Sequence, residues 1–179
     1  MNEHQKQRFT NRIISCLFNN LNGKRIAILG FAFKANTSDT RESPAITFVG
    51  NFVAERAQVT IYDPQVGKTQ IWKELKDDGN DMEVMTSNVI ICQSAYSACQ
   101  GADAVVVVTE WDEFSNKPPK SGIEGSAARL DWSLVAKSMR KPMFVFDGRN
   151  VLDGTKLEAL GFRVEAIGKP SSRPRFLED

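Results

Sequence analysis

The feature that most constrains the fold is a series of short apolar runs that alternate with helical patterns. Most of these runs are apolar throughout and rich in Ile, Val and Phe. Strands that are apolar on both faces are typical of a parallel sheet covered by helices on both sides. With right-handed crossovers, this pattern predicts a doubly wound, Rossmann-like α/β fold whose six-stranded sheet is mostly parallel. The predicted strands cover 25–29, 59–63, 89–91, 104–108, 143–147 and 162–167.

Helices are predicted before and between these strands, where apolar residues recur at spacings of three and four. They cover 2–20, 44–56, 94–100, 131–140 and 154–160. The second of them has a clear start signal, because Ser43 suits an N-cap and Pro44 the first helical position. For 67–81 the sequence leaves a polar helix and a loop both open. A mobile surface insertion is predicted at 115–128, which is rich in Pro, Gly, Ser and Lys.

Composition and charge exclude several classes of function. The formal net charge is +1, which gives no bulk attraction to nucleic acid or to a membrane surface. No apolar run approaches the roughly 20 residues of a membrane span. Cys16, Cys92 and Cys99 lack the spacing of a zinc site and are predicted to be buried or half-buried. A cytoplasmic protein without a metal site is therefore predicted.

The segment between the first strand and the second helix is a candidate anion site. It runs from Gly30 to Ser43 and carries the cations Lys34 and Arg41. A strand end, two cations and a helix N-terminus together suit a phosphate. The segment is not a G-x-G-x-x-G turn, since Gly30 is its only glycine.

Ligands bind doubly wound sheets outside the carboxyl ends of the strands. The predicted site therefore combines four segments that follow strands: 31–41, 63–64, 109–111 and 147–150.

Several segments, in this order along the chain, resemble the nucleotide-sugar dehydrogenase family, most closely the UDP-glucose 6-dehydrogenases. They are residues 2–9, the 30–44 segment, Ile61-Tyr62-Asp63-Pro64, the 108–114 segment with Thr109-Glu110-Trp111-Asp112, the 146–153 segment with Asp147-Gly148-Arg149-Asn150, and Gly161-Phe162 with Ile167-Gly168. The resemblance implies a C-terminal, UDP-binding domain over 23–168. Residues 1–22 would then be the end of a central connecting helix, and 169–179 a flexible tail.

The resemblance also implies a reaction that this chain cannot complete alone. The family oxidises UDP-glucose to UDP-glucuronate with two NAD, through a cysteine in a Gly-rich loop. That loop and the NAD-binding G-x-G-x-x-G motif are missing from this sequence. The isolated domain is therefore predicted to be inactive. Its implied partners are UDP-glucose or UDP-glucuronate and an N-terminal NAD-binding domain, within an enzyme that forms homo-oligomers.

By the same resemblance, Phe33, Lys34 and Arg149 contact the UDP-sugar, and Arg41 contacts NAD. Each has a plainer alternative: Phe33 as a core aromatic, Lys34 as a solvated lysine, Arg149 as an exposed residue of a tight turn, and Arg41 as a partner of a neighbouring acid.

Two acids that stand at the ends of predicted strands can also be interpreted from the sequence. Asp63 and Asp147 are interpreted as structural, although Asp63 stands where dinucleotide folds place a ribose-binding acid.

Three alternative functions stay open: a dehydrogenase domain for GDP-mannose or a UDP-N-acetylhexosamine, a non-catalytic nucleotide-binding module, and an assembly scaffold.

Overall fold

A computed structural model describes residues 1–119 and 128–170. Its six strands form one sheet in the order β3-β2-β1-β4-β5-β6, and every neighbouring pair is parallel. The strands are β1 Arg25–Leu29, β2 Gln58–Tyr62, β3 Val89–Ile91, β4 Ala104–Val107, β5 Met143–Asp147 and β6 Phe162–Ala166. The predicted Rossmann-like α/β class is thus confirmed.

The helices follow the predicted alternation closely. They are α1 Glu3–Cys16, α2 Pro44–Ala54, α3 Lys68–Asp77, α4 Met82–Asn88, α5 Ala95–Cys99, α6 Trp132–Ser138 and α7 Gly154–Ala159, with a 3₁₀ turn at Asp112–Phe114. The open alternative at 67–81 is a helix, α3. Helix α4 was not predicted from the sequence, although Asp81 caps it by accepting from Glu83 N–H and Val84 N–H. Most of the predicted insertion (120–127) and tail (171–179) lies outside the described residues.

The first helix is shorter than predicted. It ends at Cys16 rather than near residue 20, because Phe18 and Asn19 adopt left-handed φ values of 63° and 56°. Phe18 N–H donates to Ser15 O and Asn19 N–H to Ile14 O, the two bonds of a Schellman cap. This cap satisfies the last carbonyls of the helix and ends it.

The core lies on both faces of the sheet. Its two central strands, β1 and β4, are buried almost throughout, which explains their unbroken apolar sequence. Helix α1 joins this core through Phe9, whose ring meets Phe48 at 5.8 Å and Phe146 at 6.5 Å, both edge to face. Within 1–119 and 128–170, no helix is both long and apolar enough to cross a membrane.

The strand order places a topological switch point between β1 and β4. From β1 the chain crosses to β2 on one side, and from β4 it continues to β5 on the other. The register aligns Leu29 with Val107, and Val107 with Asp147. The loops after β1, β4 and β5 therefore leave the same edge of the sheet side by side, where such folds bind ligands.

Candidate functional site

The loop after β1 approaches the end of β4 so closely that it needs a glycine. Gly30 has φ +97°, and a Cβ there would lie 2.5 Å from the side chain of Thr109. The Thr109 hydroxyl donates to Ala32 O at 2.7 Å. The first residues of the candidate anion loop are therefore held against Thr109, which lies just beyond the end of β4.

Asp63, at the end of β2, holds the same loop through its carboxylate. Oδ2 accepts from Phe31 N–H at 2.7 Å, Ala32 N–H at 2.9 Å and the Trp111 indole N–H at 3.1 Å. Oδ1 accepts from two backbone N–H groups of the following turn, at 2.8 and 2.9 Å. With five donors on two oxygens, the acid is saturated and is not free to bind a ribose. The structural interpretation of Asp63 is therefore confirmed.

The middle of the loop is braced from two directions. Phe33 N–H donates to Asp39 O at 2.7 Å, which closes the segment between them. From α3, the Gln70 amide donates to the Thr40 hydroxyl at 3.1 Å, and that hydroxyl donates to Glu74 at 2.6 Å. These contacts give the loop a fixed shape without burying its tip.

The tip presents two of the predicted contact residues to solvent. Phe33 is 39% exposed, which is unusual for a large apolar side chain. Lys34 is exposed too, and within 1–119 and 128–170 it forms no hydrogen bond or ion pair. The loop thus offers an apolar surface beside a cation. Phe31, in contrast, is fully buried in the core.

Arg41 is engaged by its neighbour Asp39. Its Nε lies 3.0 Å from Oδ1 and its Nη2 lies 2.8 Å from Oδ2, a two-pronged pair. The hydrogen bond from the Arg41 guanidinium lowers the pKa of Asp39 to about 2. The Arg41 side chain is 86% exposed. This geometry agrees with the pairing alternative, while the predicted contact with NAD stays a prediction.

Arg149 lies in a turn that Asp147 organises. Asp147 is buried, and its Oδ1 accepts from Arg149 N–H at 3.1 Å and from Val151 N–H at 3.2 Å, while Oδ2 accepts from Leu152 N–H at 2.9 Å. A Cβ on Gly148 would lie 2.9 Å from the carbonyl oxygen that ends β4. Asp147 is therefore structural, as predicted, and it places the backbone of Arg149 at the switch-point edge.

Glu110 brings the loops together. Its Oε2 lies 2.5 Å from Arg149 Nη2, and its Oε1 accepts from Ala35 N–H at 3.4 Å. One carboxylate thus joins Arg149 to the residue next to Lys34. The sequence placed Glu110 at a strand end but gave it no role. Its position in the loop that follows the central strand β4 was the available signal.

The three cysteines differ in burial, and two of them have a raised pKa. Cys16 and Cys99 are buried and Cys92 is half-buried, as predicted. Burial raises the pKa of the Cys99 thiol to about 12, and it raises the pKa of Cys92 as well. A reactive cysteine needs a lowered pKa, because the thiolate is the attacking species.

A cavity of about 720 Å³ lies apart from these residues, between α1 and the chain after β6. It is lined by Arg8, Arg12 and Lys169 among others. None of the predicted contact residues Phe33, Lys34, Arg41 and Arg149 lines this cavity. We assign the candidate site to the switch-point edge of the sheet. Asp63 and Asp147, whose carboxylates are fully hydrogen-bonded, and the loops that they hold converge there.

The sequence that forms this site matches the model of a known protein family. Residues 27–154 match the UDP binding domain of the UDP-glucose/GDP-mannose dehydrogenase family. The chain belongs to this family. The match covers most of β1, the anion loop, both structural acids, Glu110 and Arg149.

Relatives and solved structures agree with that membership. UDP-glucose 6-dehydrogenase 4 of Oryza sativa subsp. japonica is 43% identical over 180 residues and 95% of this chain. UDP-glucose 6-dehydrogenase 1 of Arabidopsis thaliana is 43% identical over 181 residues. The chain spans 35% of the length of each. A crystal structure of NDP-N-acetyl-D-galactosaminuronic acid dehydrogenase from Methanosarcina mazei Go1 superposes on 92% of this chain and 28% of its own, with a TM-score of 0.66 at 22% identity, which supports the fold.

Proposed function

We propose that this chain is the UDP-sugar-binding domain of a UDP-glucose 6-dehydrogenase. The observation that carries the proposal is the identity of 43% to UDP-glucose 6-dehydrogenases across 95% of the chain. The geometry of the switch-point edge supports it, since two cations and an exposed aromatic ring converge on one surface.

Three side chains would bind the ligand, each in its own way. Lys34 supplies a compact positive charge for the pyrophosphate. Arg149 supplies a planar fork of N–H donors, which suits phosphate oxygens or sugar hydroxyls. Phe33 offers an apolar face for the base or the sugar. The chemistry of this domain is thus to hold and orient the nucleotide sugar.

The whole reaction needs parts that these residues do not provide. Two successive oxidations by NAD require a dinucleotide site and a thiolate nucleophile. Asp63 is saturated, and burial raises the pKa of the Cys92 and Cys99 thiols, which disfavours the attacking thiolate. We propose that another domain supplies both, that Arg41 reaches NAD from this side, and that the full-length enzyme is a homo-oligomer. Its location in the cytoplasm stays a prediction from the sequence.

Calorimetric titration of the chain with UDP, GDP and NAD, each separately, tests the proposal. We expect UDP to bind more tightly than GDP and NAD to bind little. Arg149→Ala should weaken UDP binding by about ten- to hundredfold, the size of a lost charge-assisted contact. Arg140→Ala is the matched control, because it removes the same charge at the opposite edge of the sheet, before β5.

The titrations also separate the alternative functions. Preference for GDP would favour a GDP-mannose dehydrogenase domain, and binding of no nucleotide would favour a scaffold. The chain alone should form no NADH from UDP-glucose and NAD. NADH formation by a preparation free of other dehydrogenases would overturn the assignment of this chain as the binding part of a larger enzyme.

A further inference from the structure

We propose that Glu110 is a positioning residue that holds the guanidinium of Arg149 ready for the nucleotide sugar. The inference rests on the proposed function, because it assigns to Glu110 the preorganisation of the binding site. It concerns a residue whose side chain would act through another side chain rather than touch the ligand.

The carboxylate of Glu110 is itself well placed. It follows Thr109, whose hydroxyl is bonded to Ala32 O, so its backbone is fixed to the anion loop. Its Oε2 is shielded from solvent and has no hydrogen bond within 1–119 and 128–170. Within those residues, its polar contact is the ion pair with Arg149 Nη2 at 2.5 Å. Its Oε1 accepts from Ala35 N–H.

The contact leaves Arg149 able to bind. Glu110 meets Nη2, whereas the Nε–H and Nη1–H donors have no described side-chain partner within 1–119 and 128–170. The Arg149 side chain is 27% exposed, so these donors can reach a ligand at the surface. A bidentate donor that is already ordered loses less conformational entropy on binding.

A carboxylate near a phosphate site could also act in the opposite sense, by competing with the phosphate for Arg149. The geometry favours positioning, because a single nitrogen is engaged and the second carboxylate oxygen is tied to the backbone of the anion loop. The two roles predict opposite changes in affinity when Glu110 is neutralised, so one measurement separates them.

The first test is a double-mutant cycle on UDP binding by calorimetry. Glu110→Gln should weaken UDP binding by about three- to tenfold, the scale of ordering one long side chain. In the Arg149→Ala background the same change should have no effect. Asp112→Asn is the matched control, because it removes an exposed negative charge two residues further on. Tighter binding by Glu110→Gln, or an equal loss in both backgrounds, would overturn the proposal.

The second test needs no ligand. Nitrogen-15 relaxation of the Arg149 Nε–H group should report an ordered side chain in the wild type and in Asp112→Asn, and a mobile one in Glu110→Gln. Unchanged order in Glu110→Gln would also overturn the proposal. If the wild type bound no UDP while Glu110→Gln still released Arg149, the proposed function would fall and the positioning contact would stand.

Discussion

Asp63→Asn should destabilise the protein although it changes a single oxygen atom to an amide nitrogen. The carboxylate of Asp63 accepts five hydrogen bonds, two on Oδ1 and three on Oδ2, and the residue is 8% exposed. An asparagine keeps one acceptor oxygen and turns the other position into a donor. In either orientation of the amide, at least two N–H groups then face another donor.

The magnitude follows from that count. A buried donor left without an acceptor costs about 1–3 kcal/mol, so two of them cost about 2–6 kcal/mol. This is a large share of the roughly 5–15 kcal/mol by which a domain is stable. Urea unfolding measures the change directly, as a lower midpoint at an unchanged slope.

Asp77→Asn is the matched control. Asp77 lies on the exposed face of α3, where it pairs with Lys73 at 2.7 Å, and solvent screening leaves such a surface pair little effect on stability. If Asp63→Asn were as stable as Asp77→Asn, the carboxylate of Asp63 would not be the anchor of the loop after β1.

Three further predictions address the loop and its surroundings. Gly30→Ala should destabilise the fold in urea by at least the roughly 1–3 kcal/mol of a strained backbone, because of its φ of +97°; wild-type stability would contradict this. Burial and a hydrogen bond to Glu113 raise the pKa of Tyr62. The stability that this shift provides is intact below the pKa of Tyr62 in the unfolded chain, about 10, and is lost as pH rises towards its pKa in the folded protein. Between about pH 9 and 11 the free energy of unfolding of the wild type should therefore fall more steeply with pH than that of Tyr62→Phe. Equal slopes for the two proteins would contradict this prediction. Lys34→Ala should weaken UDP binding by this chain in low salt, whereas Arg41→Ala should leave it unchanged; the reverse result would disprove the division of the loop.

The strands and their order of appearance could be predicted from the sequence because burial on both faces leaves a continuous apolar run. The run at 104–108, for example, corresponds to β4 at the centre of the sheet. Asp147 could be interpreted as structural because Gly148 follows it in a turn. These features depend on residues that are neighbours along the chain.

Three features could not be predicted, each for a different reason. The end of α1 depends on left-handed backbone at Phe18 and Asn19, which are residues without a glycine's freedom. The role of Glu110 depends on Arg149, 39 residues away along the chain but adjacent across β4 and β5. The short helix α4 carries too few turns to show a period.

We propose that UDP binds at the edge shared by the loops after β1, β4 and β5. Titration of the nitrogen-15-labelled chain with UDP, followed by amide chemical shifts, tests this proposal. We expect shifts concentrated at 30–35, 109–111 and 147–150 that are lost in Arg149→Ala. Shifts confined to the cavity between α1 and the chain after β6, or no shifts at all, would contradict it.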